Sequence, residues 1–280
     1  MSRTKLLLKF PPSWKSSRPP LPSPMVRIIY FILLALPHLS KDWKKRLDNF
    51  GMFLVLTLSV FIAALKHGLS LLVVGADVYT VCQTVDALIE SEIQKTFNSK
   101  KTKNLERGIA FPCCVSVNNV VGHFSPLADE SVQLKEGDVA KLICGSHIDG
   151  YAATAAHTAV VGDAKVTGRK ADVVLAAHHA LKAAQRVIKD GGSNTEVTEA
   201  MNKIAAEYEV NIVEGVLSHT IKKFCIDGNK CIISKETPTQ NVEEWIFAPG
   251  DVIGLDIYVS SGEGKPKQAE SRTTVYKREL

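Results

Sequence analysis

RGIAFPCCVSVNNVVGHFSP, residues Arg107–Pro126, is the stretch from which the fold is read. Ile109–Val117 reads as a strand, and His123 then stands alone in a strand-like setting between Gly122 and Ser125-Pro126. Downstream, two apolar runs, Val139–Gly145 and Ile148–Val161, are separated only by Ser146-His147 and read as a hairpin turning there. Upstream, a basic loop (Lys95, Lys100, Lys101, Lys103, Arg107) follows an amphipathic helix predicted over Asp77–Phe97, with Val81, Val85, Leu88 and Ile89 on one side.

Two helices follow the hairpin. Val174, Ala177, Leu181, Ala184 and Ile188 recur at spacings of three and four, and Gly191-Gly192 ends the run. Val197, Met201, Ile204 and Tyr208 repeat the pattern, with Ser193 and Glu196 spaced for a capping box. Both stripes are core faces. His178 and His179 sit mid-helix about 100° apart, so they cannot share one small site and are read as structural. Beyond Ile212 come EGVLSHTIKKFCIDGNK, a polar loop (Lys235–Glu244), a strand over Val252–Ser260, SGEGKPK and a last strand-like segment, Thr273–Tyr276. Helix, strands, two helices, strands is an α+β arrangement.

The formal charge of +5 is unevenly spread. Of 34 Lys/Arg and 29 Asp/Glu, 11 and 2 fall in residues 1–75, so the remaining body is mildly acidic. Its overall charge gives no argument for nucleic-acid binding. The six cysteines (82, 113, 114, 144, 225, 231) form no CxxC pair and read as free thiols. Vicinal Cys113 and Cys114 cannot easily bridge in an extended strand, and the C-x-x-H spacing of Cys144 and His147 lacks a second ligand pair for zinc.

Residues 1–75 form a separate basic and apolar leader, with no acid before Asp42. Met25–Leu36 is too short to span a bilayer comfortably, and Phe50–Leu65 comes nearer before Lys66-His67 interrupts it. Three readings stand: an organelle-targeting segment, a membrane anchor, or sequence foreign to the body's family. The charge pattern argues against simple anchoring, because a single span over 50–65 keeps ten basic residues inside and sends the body across. Any membrane contact rests on residues 25–74, and the body is residues 76–280.

The body's motifs RGIAFP…SVNNVVGHFSPLA, LKEGDVAK, HIDGYAATAAHT, VTGRKADVV, IVEGVLSHTIKKFCIDGNK and VSSGEGKPK together resemble the proliferation-associated protein family, of the ErbB-receptor-binding-protein type. That family comprises non-catalytic relatives of type-two methionine aminopeptidase. The resemblance implies the pita-bread fold, an antiparallel sheet flanked by helices around a central pocket. It also implies further helices, closing strands and a Lys-rich tail beyond the SSGEGK strand. Without them the sheet is expected to end on open edges, giving an aggregation-prone or partner-dependent fold.

In the enzymes of this fold, the resemblance implies two divalent metals held by two Asp, one His and two Glu, with a bridging water that attacks the scissile carbonyl. Mapped onto this chain, the first Asp falls at Ile143 and the second at Thr154. The His is kept as His219, one Glu becomes Asp256, and the other lies past Leu280. His123 matches a substrate-contacting His. Isoleucine offers no lone pair, so a dinuclear centre lacks bridging carboxylates, and no metal or other cofactor is expected. These five positions, His123, Ile143, Thr154, His219 and Asp256, are read as a vestigial pocket in a pseudo-enzyme.

The resemblance further implies a regulator of growth and proliferation with RNA, ribosome and regulatory-protein partners, in cytoplasm and nucleus or nucleolus. Candidate phosphate contacts are Lys100, Lys101, Lys103 and Arg107, then Lys222, Lys223 and Lys230, then Lys265, Lys267, Arg272, Lys277 and Arg278. Such clusters meet phosphate by charge alone and are common on solvated loops, and no aromatic RNA-stacking motif accompanies them. The alternative reading is a metal-dependent methionine aminopeptidase.

Overall fold

The computed structural model describes residues 57, 60, 62–96, 104–268 and 272–277, together with the backbone of 25–33. Eight strands form one sheet in which every pair is antiparallel: β1 (Met25–Leu33), β2 (Arg107–Val117), β3 (Val139–Ile148), β4 (Tyr151–Val160), β5 (Asn211–Ile212), β6 (Leu217–Thr220), β7 (Cys231–Ile233) and β8 (Val252–Ser260). The order is β2-β3-β4-β1-β8-β6-β7, with β5 paired to β8. Among the described residues four α-helices accompany it: α1 (residues 62–70), α2 (Val78–Lys95), α3 (Arg169–Val187) and α4 (Asn194–Glu207).

Strand alternation decides which face carries what. On β8, Ile253, Leu255, Ile257 and Val259 join the core beneath α3 and α4, while Gly254, Asp256 and Tyr258 face the other way. On β3, Ala140, Leu142 and Cys144 pack under α2, while Ile143 and His147 turn to the opposite face. The helices therefore cover one face of the sheet, and the other is left to line a cavity.

The β3–β4 hairpin turns three residues later than the apolar runs predict. Asp149 and Gly150 both take positive φ (52° and 77°), and Ile148 pairs with Tyr151 around them. A two-residue turn of this hand matches the right-handed twist of the strands, and Asp-Gly adopts it at little cost. Ser146 and His147 are ladder residues, paired with Ala153 and Ala152. On edge strand β2, Pro112 has no N–H to give the ladder, and the register shifts on either side of Phe111.

The helices form where their patterns place them. Asp77 caps α2 by accepting from the Thr80 N–H at 2.9 Å, and Val78, Val81, Cys82, Val85, Ile89 and Ile93 are its buried face. The capping box of α4 is present, with Ser193 and Glu196 in both roles. On α3 the buried stripe runs through Val173 and Ala176 rather than centring on Val174, which sits at the flank. His179 shares a 2.6 Å hydrogen bond with the Tyr208 hydroxyl, and His178 is exposed.

Two expectations about the chain's ends meet different geometry. Met25–Leu33, placed in the leader by composition, pairs with β8 along its whole length and with β4 on its other side, with Ile29 opposite both Asp256 and Ala156. The packing also crosses the 75/76 boundary, because Ala64 and Leu72 lie in the same buried cluster as Val78 and Val81. Most of Phe50–Leu65 lies outside the described residues, and among those described no helix is long and apolar enough to cross a membrane. Residues 272–277 are irregular rather than a strand. Their β-branched composition suits a strand, but the segment lies over the cavity face and has no ladder partner.

Candidate functional site

The open face of the sheet carries a cavity of about 1640 Å³. His123, Ile143, Thr154, His219 and Asp256, mapped from distant parts of the sequence, all line it. The ladder explains how. Cys114, Ile143, Ala156, Ile29 and Asp256 occupy one row of directly opposed positions across five strands. Directly opposed residues in an antiparallel sheet project to the same face. Thr154 lies diagonally from Ile143, opposite Gly145, and Asp256 lies diagonally from His219, opposite which is Gly254.

The floor of the cavity is apolar on the β3–β4 side. Ile143, 2% exposed, clusters with Cys114 and Ala156, and Phe111 and Val275 pack against that cluster. His123 has positive φ (60°) and its ring lies 5.5 Å from that of Phe111. On the far side His219 Nδ1 lies 3.2 Å from the Gly228 carbonyl and 3.4 Å from Cys231 Sγ. That leaves Nε2 as the ring nitrogen for any cavity ligand. Burial, reinforced by Asp227, pushes the Cys231 thiol up, so the Cys–His contact is not an activated nucleophile.

Sequence reasoning missed three features of this cavity. His147 lines it with a buried Nδ1 that has no hydrogen-bond partner, and burial holds its imidazole below the ordinary range. Asp227 lines it too, its carboxyl held low by the hydrogen bond from Lys277. Val275, Tyr276 and Lys277 complete the lining from a segment read as a strand. Cys144, three residues before His147, belongs to the core under α2, and the two side chains lie on opposite faces of β3.

The metal pair implied by the fold's enzymes does not fit these residues. A dinuclear centre needs oxygen donors shared between two dications, whereas Ile143 on the cavity lining offers no donor and Thr154 one neutral hydroxyl. β1, which fills the slot between β4 and β8, contains no Asp or Glu. Among the described residues no group of three or more His, Cys, Asp or Glu is placed to hold a metal ion. No reaction step through a metal is derived from this cavity.

The buried thiols offer no alternative chemistry. Cys82, Cys113 and Cys144 cluster in the core under α2, where the hydrogen bond of the Cys113 thiol to Cys82, together with burial, pushes Cys113 up and burial pushes Cys144 up to about 12. Cys114 lies on the opposite face of β2 from Cys113, so the vicinal pair is split between two environments.

The candidate phosphate contacts are dispersed. Lys100, Lys101 and Lys103 lie outside the described residues. Arg107 donates to the backbone carbonyls of Leu105 and Thr96, which ties its guanidinium to the strand's own entry. Lys222 is exposed, while Lys223 forms a 2.7 Å ion pair with Asp149 and lies over the Tyr151 and Phe224 rings at the cavity. Lys277 is paired with Asp227, and Arg272 with Asp129 and Glu130.

An antiparallel sheet with helices on one face and a cavity on the other is the pita-bread architecture. Solved structures share it: a thermophilic Arx1 matches with TM-score 0.71 at 24% identity, covering 83% of this chain and 70% of that one. A methionine aminopeptidase from Thermotoga maritima matches with TM-score 0.62 at 22% identity, covering 77% and 81%. The model of metallopeptidase family M24 matches residues 73–265, and the chain belongs to that family.

Within the family its kinship is with the proliferation-associated proteins. It is 50% identical over 220 residues to proliferation-associated protein A of Dictyostelium discoideum, covering 78% of this chain and 57% of that protein. It is 45% identical over 205 residues to ErbB-3 binding protein 1 of Arabidopsis thaliana, covering 73% and 52%. The methionine aminopeptidase of Thermococcus onnurineus is 31% identical over 156 residues, covering 56% and 50%. The chain thus spans little more than half the length of these relatives.

Proposed function

We propose that this chain is a non-catalytic member of family M24 that acts in growth control by binding rather than by hydrolysis. The observation that carries this reading is Ile143, seated in an apolar cluster on the cavity floor, at the position to which the resemblance maps a metal-binding Asp. Thr154 beside it supplies one neutral oxygen, and His219 and Asp256 across the cavity cannot share two cations between them. The test is metal content of the purified protein, then turnover of a Met-initiated peptide with added cobalt or manganese. The expected result is sub-stoichiometric metal and no turnover. Stoichiometric metal with turnover restores the aminopeptidase reading, which His123, His219 and Asp256 in one cavity would then serve.

The kinship with proliferation-associated and ErbB-3-binding proteins supports partner proteins, and the resemblance in sequence supports RNA and ribosome association in cytoplasm and nucleus. Lys100, Lys101 and Lys103, and separately Lys222, are the residues proposed to meet phosphate. Binding there is by charge and therefore salt-sensitive and indifferent to sequence. Changing Lys100, Lys101 and Lys103 together to Glu is expected to weaken RNA binding in a filter assay, and unchanged binding would remove this surface from consideration. The leader is proposed as a targeting or anchoring element only through its residues outside β1, and resistance to an alkaline carbonate wash reads that out.

A further inference from the structure

Residues 272–277 lie across the cavity, tied to the two sides of its mouth. Arg272 bridges Asp129 and Glu130 on the β2–β3 connection at 3.2 Å each, and the Thr274 hydroxyl donates to the Ser125 carbonyl at 2.6 Å. On the opposite side Lys277 pairs with Asp227, on the β6–β7 connection. Between these ties Val275 packs on the apolar floor around Ile143, while Tyr276 stays 81% exposed. The segment makes no ladder with the sheet beneath it. It is held as a ligand is held, by one apolar anchor and a cation at each end.

We infer that this cavity is a docking groove for an internal peptide segment carrying a β-branched apolar residue flanked by cations, and that residues 272–277 occupy it in cis. The partner's chemistry is read from the occupant. The floor of Phe111, Cys114, Ile143 and Ala156 accepts the branched side chain, and Asp129, Glu130 and Asp227 accept the basic groups. Nothing in the occupant's hold uses a free α-amino group. The inference rests on the cavity being a binding site rather than a hydrolytic one, yet its test involves neither metal nor turnover.

The ion pairs that fasten the strap are exposed, so each is weak and screened by salt. A strap held this way can be displaced by a segment offering the same contacts, because docking exchanges like for like. Detaching it in cis leaves both acidic ends and the apolar floor ready for a partner segment.

The experiment uses the full chain and a fluorescein-labelled, N-acetylated peptide of sequence Arg-Thr-Thr-Val-Tyr-Lys, followed by fluorescence anisotropy at low salt. The double variant Arg272→Glu/Lys277→Glu is expected to bind this probe at least ten-fold more tightly than the parent chain. Replacing the probe's Val by Asp is expected to abolish binding. Lys277→Glu alone should bind better than the parent, and adding Asp227→Lys should reverse that gain by restoring a cis pair of opposite sign. Hydrogen exchange at the amides of 273–277 should be faster in the double variant, which reports strap release even with no probe present. Equal binding to parent and double variant, binding indifferent to the probe's Val, or exchange unchanged by the double substitution would each overturn the proposal.

Discussion

Asp86 couples the stability of the fold to pH. It lies on α2 with its carboxylate accepting from the Cys113 N–H at 2.8 Å, and burial pushes its carboxyl up to about 6. The folded state thus holds a proton there between about pH 4 and 6 that the unfolded state has released. Stability from this group is full below that window and lost as pH rises through 6. Asp86→Asn keeps the acceptor for Cys113 and removes the buried charge. With the group partly screened by solvent, the variant is expected to gain about 1 kcal/mol at pH 7.5 and nothing at pH 4, read from urea midpoints. His147 works with the opposite sign. Its lowered imidazole and unpartnered Nδ1 mean that acid favours the unfolded state as pH falls through the ordinary His range. His147→Gln is expected to flatten the loss of stability between pH 7 and 5. Neither residue was legible as a stability determinant in the sequence, because burial of one carboxylate or one imidazole depends on which strands close over it.

The sequence discloses an element where a local pattern decides it and misplaces one where two patterns compete. The capping box at Ser193 and Glu196 and the Asp77 cap are local, and both are present. The β3–β4 turn was drawn at Ser146-His147 by the apolar runs, whereas the turn chemistry lies in Asp149-Gly150. Hydrophobic continuity spans the turn because Ile148 and Tyr151 flank it on both sides. The site follows the same division. His123, His219 and Asp256 were found by motif, but the strap over them was read as a strand, since composition does not reveal whether a free edge waits for it. Gly150 sits at φ 77°, and a Cβ there would come within 2.6 Å of three Phe224 ring atoms. Gly150→Ala therefore meets both backbone strain and the loop that carries Lys223, and is expected to cost about 1–3 kcal/mol. Asp77→Ala removes the α2 cap and the acceptor of the Ser131 hydroxyl, and is expected to cost about 1–2 kcal/mol. A Gly150→Ala urea midpoint equal to that of the parent chain would mean that the turn is not held against Phe224.

At the scale of the molecule, the placement of β1 decides whether the sheet is one body. Without it, β4 and β8 would face each other as unpaired edges in the middle of the sheet, the liability that open strands present. With it, nine consecutive positions of β8 find partners, and the ladder row from Cys114 to Asp256 runs unbroken across five strands. No reading of local sequence could assign that slot, because Ile29 and Asp256 lie at opposite ends of the chain and such pairings carry no short-range signature. The apolar run at Met25–Leu33 signals burial alone, which suits a bilayer, a targeting segment or an interior strand alike. An interior strand differs from the others in one respect: its backbone N–H and C=O groups must serve two neighbours. Proline at position 29 removes an N–H and places a ring within a strand paired on both sides, so Ile29→Pro is expected to cost about 3 kcal/mol or more. The loss should appear in one cooperative urea transition shared by β3, β8 and the α3–α4 core, since β1 joins the two halves of the sheet. A midpoint unmoved by that proline would show that the two halves hold together without β1, and that Asp256 owes its position to β6 and the helices alone.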